Sequence, residues 1–441
     1  MNARQIAFDV LRRVEEHGAY ASRALDAALS SAGAIDPREA GLATELVYGT
    51  LRRALSLDLA LAPHSRRPLD RLDPAARVAL RLGAYQLLSL GTPAHAAVAE
   101  TVALARGANH GRAKGYVNAV LRSLAREPGF PPAPPLSLDP AGHLSQTEAL
   151  PRWLAEEWIA YFGPAEALDL ARAMNAPAPL CVRSPDRDAL VERAQRAGLD
   201  ARPLSRAPEG LTVLRASVAD LLRAAGGLAF QVQDEGSQLV VRLAAEELRG
   251  RRARVLDACA APGGKAFHLA ELLGRGSEVL AVEIHPAKAD ALSREAARRG
   301  LGAVRVVCAD ATLSLPGEEE ASFDAVLVDA PCAGLGTLRR HPELKLRRSP
   351  EDLTRLAEVQ LAIARRAARY ARPGARVTYS VCSLSRVEGP AVAAALLAGG
   401  GRRCPPPPGF PPEVLTPEGD LLTLPSRHGC DGFYAARIAL P

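Results

Sequence analysis

The chain is 441 residues long, 48% apolar and 24% charged, which suits a soluble globular protein too long for one ordinary core, so two or three domains are expected. No run of about 18 uncharged apolar residues occurs, which argues against a helical membrane span. The formal net charge is +6, and residues 1–138 hold 17 Lys+Arg against 12 Asp+Glu while the remainder holds 38 against 37. The surplus therefore sits in the N-terminal third, as expected if that part meets a phosphate backbone. Only four of the basic residues are Lys. Arg suits bidentate phosphate contacts, although a GC-rich genome explains the bias equally well. The seven cysteines (181, 259, 308, 332, 382, 404 and 430) are widely spaced with no CxxC, and His428 with Cys430 has no second ligand pair nearby. Neither a disulfide framework nor a metal site is expected. The N-terminal "MNARQIAFDVLRRVEEHGAY" carries acids and reads as an amphipathic helix, not a signal peptide, so a cytoplasmic protein is expected.

Residues 1–126 read as helices throughout. Ile6, Val10 and Val14 recur at helical spacing, as do Leu42, Leu46 and Val47, then Leu51, Leu55 and Leu59. "EPGFPPAPPLSLDP", residues 127–140, is too proline-rich to continue a helix and marks a linker, which closes a helical domain over 1–138. A smaller unit follows over 139–226: a helix in "PRWLAEEWIAYFG" with Trp153, Trp158 and Phe162, then strand, helix and strand in "APLCVRSP", around 187–197, and in "GLTVLRA". Over 227–441 the pattern alternates, with strands expected at 253–258, 278–283, 303–308, 323–329 and 375–381. Helices are expected near 264–274, 286–299 and 351–371, and this alternation predicts a parallel sheet with helices on both faces. In such sheets ligands bind beyond the carboxyl ends of the strands.

The unusual residues of this part fall at those ends. The first strand runs into "LDACAAPGGKAFHLAEL", a glycine turn that lets backbone N–H groups approach a ligand, or else a plain helix-start turn. It is not a Walker loop, which would need Gly at 259 and Ser or Thr at 266 where Cys259 and Ala266 stand, nor is it GxGxxG. Glu283 ends the second strand, twenty-six residues after Asp257, where an acid can accept hydrogen bonds from ribose hydroxyls. Asp310 and Asp329 end the third and fourth. Acids at successive strand ends, without a phosphate grip, predict a pocket for S-adenosylmethionine. Cys332, in "VLVDAPCAGLG", is a small apolar filler, a metal ligand, or half of a pair with Cys382, which the fifth strand brings to the same edge. Reactive thiols belong at polar, partly exposed site edges, and structural ones in apolar cores. The basic run "LRRHPELKLRR", residues 338–348, reads either as charge for a nucleic acid or as a solvated surface segment.

"DACAAPGGK", "VLVDAPCAGLGTLRRHPELK", "YSVCSLSRVEG" and the terminal "DGFYAARI", preceded by "FQVQDEGSQLV", resemble the Nop/Sun-type RNA 5-methylcytosine methyltransferases. "ELVYGTLRR" and "YVNAVLRSL" resemble NusB-type RNA-binding domains, and the combination is similar to the RsmB/Sun-type 16S ribosomal RNA methyltransferases over nearly the whole chain. The resemblance implies an all-α NusB-like N-terminal domain, a small α/β RNA-binding middle unit and a Rossmann-like α/β methyltransferase domain using S-adenosylmethionine. It implies that Cys382 adds to ring position 6 of cytosine and that Cys332 assists the final elimination. It also implies that Cys259, Ala260, Ala261, Pro262, Gly263, Gly264, Lys265, Glu283, Asp310 and Asp329 bind the cofactor. Lys265 would support the cofactor loop or the thiolate, and Asp329 the base near ring position 3 or the cofactor. A monomer acting on 16S ribosomal RNA, with neither membrane nor metal, is expected. Val381, Ala333 and Glu283 depart mildly from the family pattern, which often has Thr, Ser and Asp there. Two other readings stay open: the same chemistry on transfer RNA, and a catalytically idle RNA-binding assembly factor.

Overall fold

A computed structural model describes residues 2–33, 35–107 and 113–439. Two compact units emerge, Met1–Ala176 with Leu338–Arg347, and Pro177–Thr337 with Arg348–Pro441.

Over residues 1–126 the first unit is helical, as the periodicity predicts, and it also takes in the helices of 140–175. Its helices run Ala3–His17, Ala21–Ser31, Pro37–Leu61, Pro74–Leu88, Ala94–Gly107 and Lys114–Arg126, followed by Pro140–Thr147, Arg152–Phe162 and Pro164–Asn175. Asp36, Asp73 and Asp139 each stand just before a proline that opens a helix, and each side chain accepts a first-turn backbone N–H. Ile6, Val10, Leu46, Leu57, Leu80, Leu82 and Leu121 meet in one core. Among the described residues no helix is long and apolar enough to cross a membrane.

The basic run Leu338–Arg347 departs from both expectations for it, because it packs into this helical unit and is neither a solvated face nor an open patch. Glu343 is fully buried and accepts the Ala21 N–H at 3.1 Å. Lys345, also buried, donates to the Arg52 carbonyl at 2.7 Å, and burial pushes its ammonium down to about 7. Arg347 forks across the carbonyls of Val14, Gly18 and Ala19 at 2.7–2.9 Å and so closes the C-terminus of the helix Ala3–His17. Sequence charge alone could not reveal these backbone partners.

The second unit carries two sheets. The strands, in chain order, are β1 (Leu180–Arg183), β2 (Asp200–Pro203), β3 (Gly210–Leu214), β4 (Gln231–Val232), β5 (Arg254–Asp257), β6 (Glu278–Glu283), β7 (Val304–Cys308), β8 (Phe323–Asp329), β9 (Ala371–Val381), β10 (Arg402–Arg403), β11 (Leu421–Thr423) and β12 (Phe433–Ala439). The smaller sheet has the order β2-β3-β1-β4 with antiparallel neighbours. The strand–helix–strand expectation catches β1, the helix Arg187–Arg196 and β3, but not the short β2 and β4.

The larger sheet has the order β10-β12-β9-β8-β5-β6-β7. β9 through β7 are parallel, with the five strands and the helices Gly264–Leu272, Pro286–Arg298 and Pro350–Ala368 close to their expected limits. The sheet is mixed, not parallel, because β12 runs antiparallel to β9 and is flanked by β10 and β11. β12 is covered on both faces, so "FYAARIA" shows no polar alternation that would identify it as a strand. Chain order reverses between β5 and β8, which opens the crevice beyond their carboxyl ends.

Candidate active site

Asp257, Glu283 and Asp329 occupy the last positions of β5, β6 and β8, and Asp310 stands two residues beyond β7. β8 and β9 pair with Asp329 opposite Ser380, so the loop after β8 and the turn after β9 leave the sheet side by side. Cys332 and Cys382 ride on those two segments. Both are free thiols, half-buried, with their Sγ atoms 3.3 Å apart. The backbone locks this spacing: Gly336 N–H donates to the Cys382 carbonyl at 3.0 Å, and Gly432 N–H donates to the Gly336 carbonyl at 2.8 Å. The hydrogen bond with Cys382, then burial, pushes the Cys332 thiol well above its ordinary range, so Cys332 keeps its proton at neutral pH.

Lys265, at the start of the helix Gly264–Leu272, places Nζ 2.7 Å from Asp329 Oδ2 and 5.0 Å from the Phe433 ring centre. Burial alone would lower the lysine, but Asp329 outweighs it and the ammonium is held above its usual value. Ser380 Oγ donates to the other oxygen of Asp329 at 2.9 Å. Asp329 is thus fixed from two sides.

The glycine turn is shaped by its own backbone. Ala260 N–H donates to the Val282 carbonyl and Gly263 N–H to the Ala260 carbonyl, both at 2.8 Å. At φ +111°, a side chain on Gly263 would be strained, and its Cβ would lie 2.6 Å from Leu292 and the Phe267 ring, so only glycine fits. Cys259, Ala261 and Pro262 complete the loop, and no side chain caps the helix that starts at Gly264. That leaves its first-turn N–H groups for a negatively charged ligand.

The four acids differ in their freedom. Glu283 accepts the His285 N–H at 2.8 Å, and Asp310 accepts the Thr312 N–H and hydroxyl at 2.8 and 2.7 Å through one oxygen. Among the described residues no donor takes the second oxygen of either. Exposed Ile284 directly follows Glu283, and exposed Leu313 follows three residues after Asp310. Asp257 is wholly buried with one oxygen unpaired, and burial followed by the nearby Asp329 pushes it up to about 7. Burial and then the charges of Asp257, Asp329, Glu283 and Asp310 push the Cys259 thiol upward, so that thiol lies within the field of all four acids. The crevice beyond β5, β6, β7 and β8 therefore offers carboxylate acceptors, backbone donors and apolar rims. This donor set fits a nucleoside with a charged amino-acid tail. Among the described residues no group of three or more His, Cys, Asp or Glu is arranged to hold a metal.

Three residues of the site escape the sequence reading: Ser380, Phe433 and Glu388. Ser380 and Glu388 are fully buried polar residues within the quoted "YSVCSLSRVEG"; for Ser380, a polar side chain in a strand between Tyr379 and Val381 is the available signal, and Glu388 lies in the turn beyond that strand.

The chain matches the family model described as 16S rRNA methyltransferase RsmB/F over residues 246–439, the NusB family over 1–126, and the ferredoxin-like domain of RsmF/B-like methyltransferases over 150–219. It is 37% identical to the ribosomal RNA small subunit methyltransferase B of Thermus thermophilus, across 99% of this chain and 97% of that one. It is 33% identical to the probable ribosomal RNA small subunit methyltransferase B of Bacillus subtilis, across 98% and 97%. Among solved structures, that of PH0851 shares the fold with a TM-score of 0.84 at 22% identity, covering 99% of both chains. A methyltransferase homolog protein from Pyrococcus horikoshii matches 70% of this chain and all of its own at a TM-score of 0.57 and 24% identity.

Proposed function

Because the chain belongs to the RsmB/F family of 16S rRNA methyltransferases, we propose that it methylates carbon 5 of a cytosine in small-subunit ribosomal RNA through a covalent bond to Cys382. Bound S-adenosylmethionine supplies an electrophilic methyl group. The acceptors on Glu283 and Asp310 suit its ribose hydroxyls, Ile284 and Leu313 its adenine, and the first-turn N–H groups of the helix that begins at Gly264 its carboxylate.

Carbon 5 of cytosine is too weakly nucleophilic to take a methyl group unaided. Addition of the Cys382 thiolate to carbon 6 would turn the ring into an enamine whose carbon 5 could take the methyl group as the sulfur–methyl bond breaks and S-adenosylhomocysteine departs. Lys265 stabilises the thiolate that begins this step, and Asp329 holds Lys265 in place. After methyl transfer a base removes the carbon-5 proton and the carbon–sulfur bond to Cys382 breaks, restoring the aromatic ring. Cys332, 3.3 Å away, assists this last step. The target base must be unstacked to reach both thiols. Residues 1–138 and 139–226 serve RNA docking in this reading, and 227–441 the chemistry.

One observation carries the proposal: two free thiols 3.3 Å apart at neighbouring strand ends, where Asp329 also fixes the Lys265 ammonium. With 16S ribosomal RNA and S-adenosylmethionine, Cys332→Ala is expected to accumulate a protein–RNA species that survives a denaturing gel. Cys382→Ala is expected to methylate nothing and trap nothing. An adduct in Cys382→Ala would reverse the two roles, and no adduct in either would refute covalent catalysis. Bisulfite sequencing of ribosomal and transfer RNA from a deletion strain checks the substrate.

A further inference from the structure

Glu388 lies six residues after Cys382 and is fully buried. Its Oε1 accepts the Ala333 N–H at 2.8 Å and Gln360 Nε2 at 3.0 Å, and its Oε2 accepts the Ser383 hydroxyl. Ala333 is the neighbour of Cys332, and Ser383 the neighbour of Cys382. A single carboxylate therefore fastens both thiol-bearing segments from behind. Gln360, itself fully buried, extends the clasp by donating from Nε2 to the Pro331 carbonyl at 2.9 Å, on the other side of Cys332. The Tyr379 hydroxyl meets Gln360 Oε1 at 2.9 Å and also the Glu388 carbonyl.

An apolar side chain of similar volume would fill such a place at lower cost, since a buried carboxylate must be compensated by donors. Here three donors converge on its two oxygens, and each comes from a segment that bears a thiol or braces one. Resting on the covalent reading above, we propose that Glu388 is a positioning residue for the methyl-transfer reaction, setting the separation and approach of Cys332 and Cys382 without touching the base. Glutamine at 388 keeps the shape but replaces one acceptor oxygen by an NH2 donor, which faces the donors already there. Aspartate keeps the charge and falls one methylene short of spanning them. The negative charge also opposes ionisation of Cys332, which supports its role as the thiol that keeps its proton.

The test compares the full-length wild-type chain with Glu388→Gln. Iodoacetamide labelling without RNA, read by peptide mass spectrometry, is expected to rise about fivefold or more at Cys332 once the clasp and its charge are lost. Affinity for S-adenosylhomocysteine is expected to stay within about twofold, while single-turnover methylation falls roughly ten- to a hundredfold, as for lost charge-assisted hydrogen bonds. Unchanged labelling and turnover would overturn the proposal. So would a parallel loss of S-adenosylhomocysteine binding, which would make Glu388 a support of the cofactor loop. If Glu388→Gln does not fold, Ser383→Ala removes one donor and is expected to lower turnover about three- to tenfold. Wild-type behaviour of Ser383→Ala in both assays would equally overturn it. Labelling needs no RNA, so a failure here is distinct from a failure of Cys332→Ala to trap RNA.

Discussion

Replacing Gly336 by Ala tests whether the backbone holds the two thiols together. A Cβ there would lie 1.9 Å from the Gly432 carbonyl oxygen and 3.0 Å from that of Cys382. Reaching an ordinary contact of about 3.4 Å requires the Gly432 backbone to retreat by more than an ångström, since neither obstacle is a flexible side chain. That movement breaks the 2.8 Å bond from Gly432 N–H to the Gly336 carbonyl and loosens the 3.0 Å bond from Gly336 N–H to the Cys382 carbonyl. Overpacking costs about 1–3 kcal/mol and each lost hydrogen bond about 0.5–1.5 kcal/mol, so Gly336→Ala should lose roughly 2–5 kcal/mol. The 3.3 Å thiol spacing should open on the same scale, and a misplacement of about 1 Å costs on the order of a hundredfold in rate. Urea unfolding and single-turnover methylation measure the two losses. Gly115, in the helix Lys114–Arg126, has nothing within 4 Å of its Cβ position, so Gly115→Ala should shift stability by no more than about 1 kcal/mol. A Gly336→Ala protein with the wild-type unfolding midpoint and turnover would refute the reasoning.

Asp257 rises from 3.8 to about 7 on folding, so the folded chain binds more protons there than the unfolded one; its contribution is most favourable below pH 4 and is lost as pH climbs to about 7. Asp257→Asn should therefore gain stability relative to wild type between pH 4 and pH 8, by at most on the order of 4 kcal/mol, and a pH-independent difference would contradict this. Arg347→Ala removes three carbonyl contacts at the end of the helix Ala3–His17 and should lose about 1–3 kcal/mol by calorimetry, with Arg347→Lys recovering only part because an ammonium cannot fork. Glu283→Ala and Asp310→Ala should each weaken S-adenosylhomocysteine binding by about tenfold or more in titration calorimetry; unchanged affinity would remove that acid from the pocket.

Local periodicity made much of this protein legible in its sequence. The helices of residues 1–126, the five parallel strands and the acids at their ends all follow from spacing within a few turns of chain, because apolar period and terminal residue type are local properties. Cys332 and Cys382 reach one sheet edge because β8 pairs with β9 in a register that sets Asp329 opposite Ser380. Their 3.3 Å separation, by contrast, depends on Gly336, Gly432 and Glu388, which come from three segments of chain. Long-range backbone partners also decided the fate of Leu338–Arg347: in sequence its charges read either as a nucleic-acid contact or as a solvated segment, yet Glu343, Lys345 and Arg347 are spent on backbone groups of the helical unit. The antiparallel entry of β12 beside β9 belongs to the same class. A strand buried on both faces carries no alternation to betray its direction, and only pairing with a partner distant in sequence sets it.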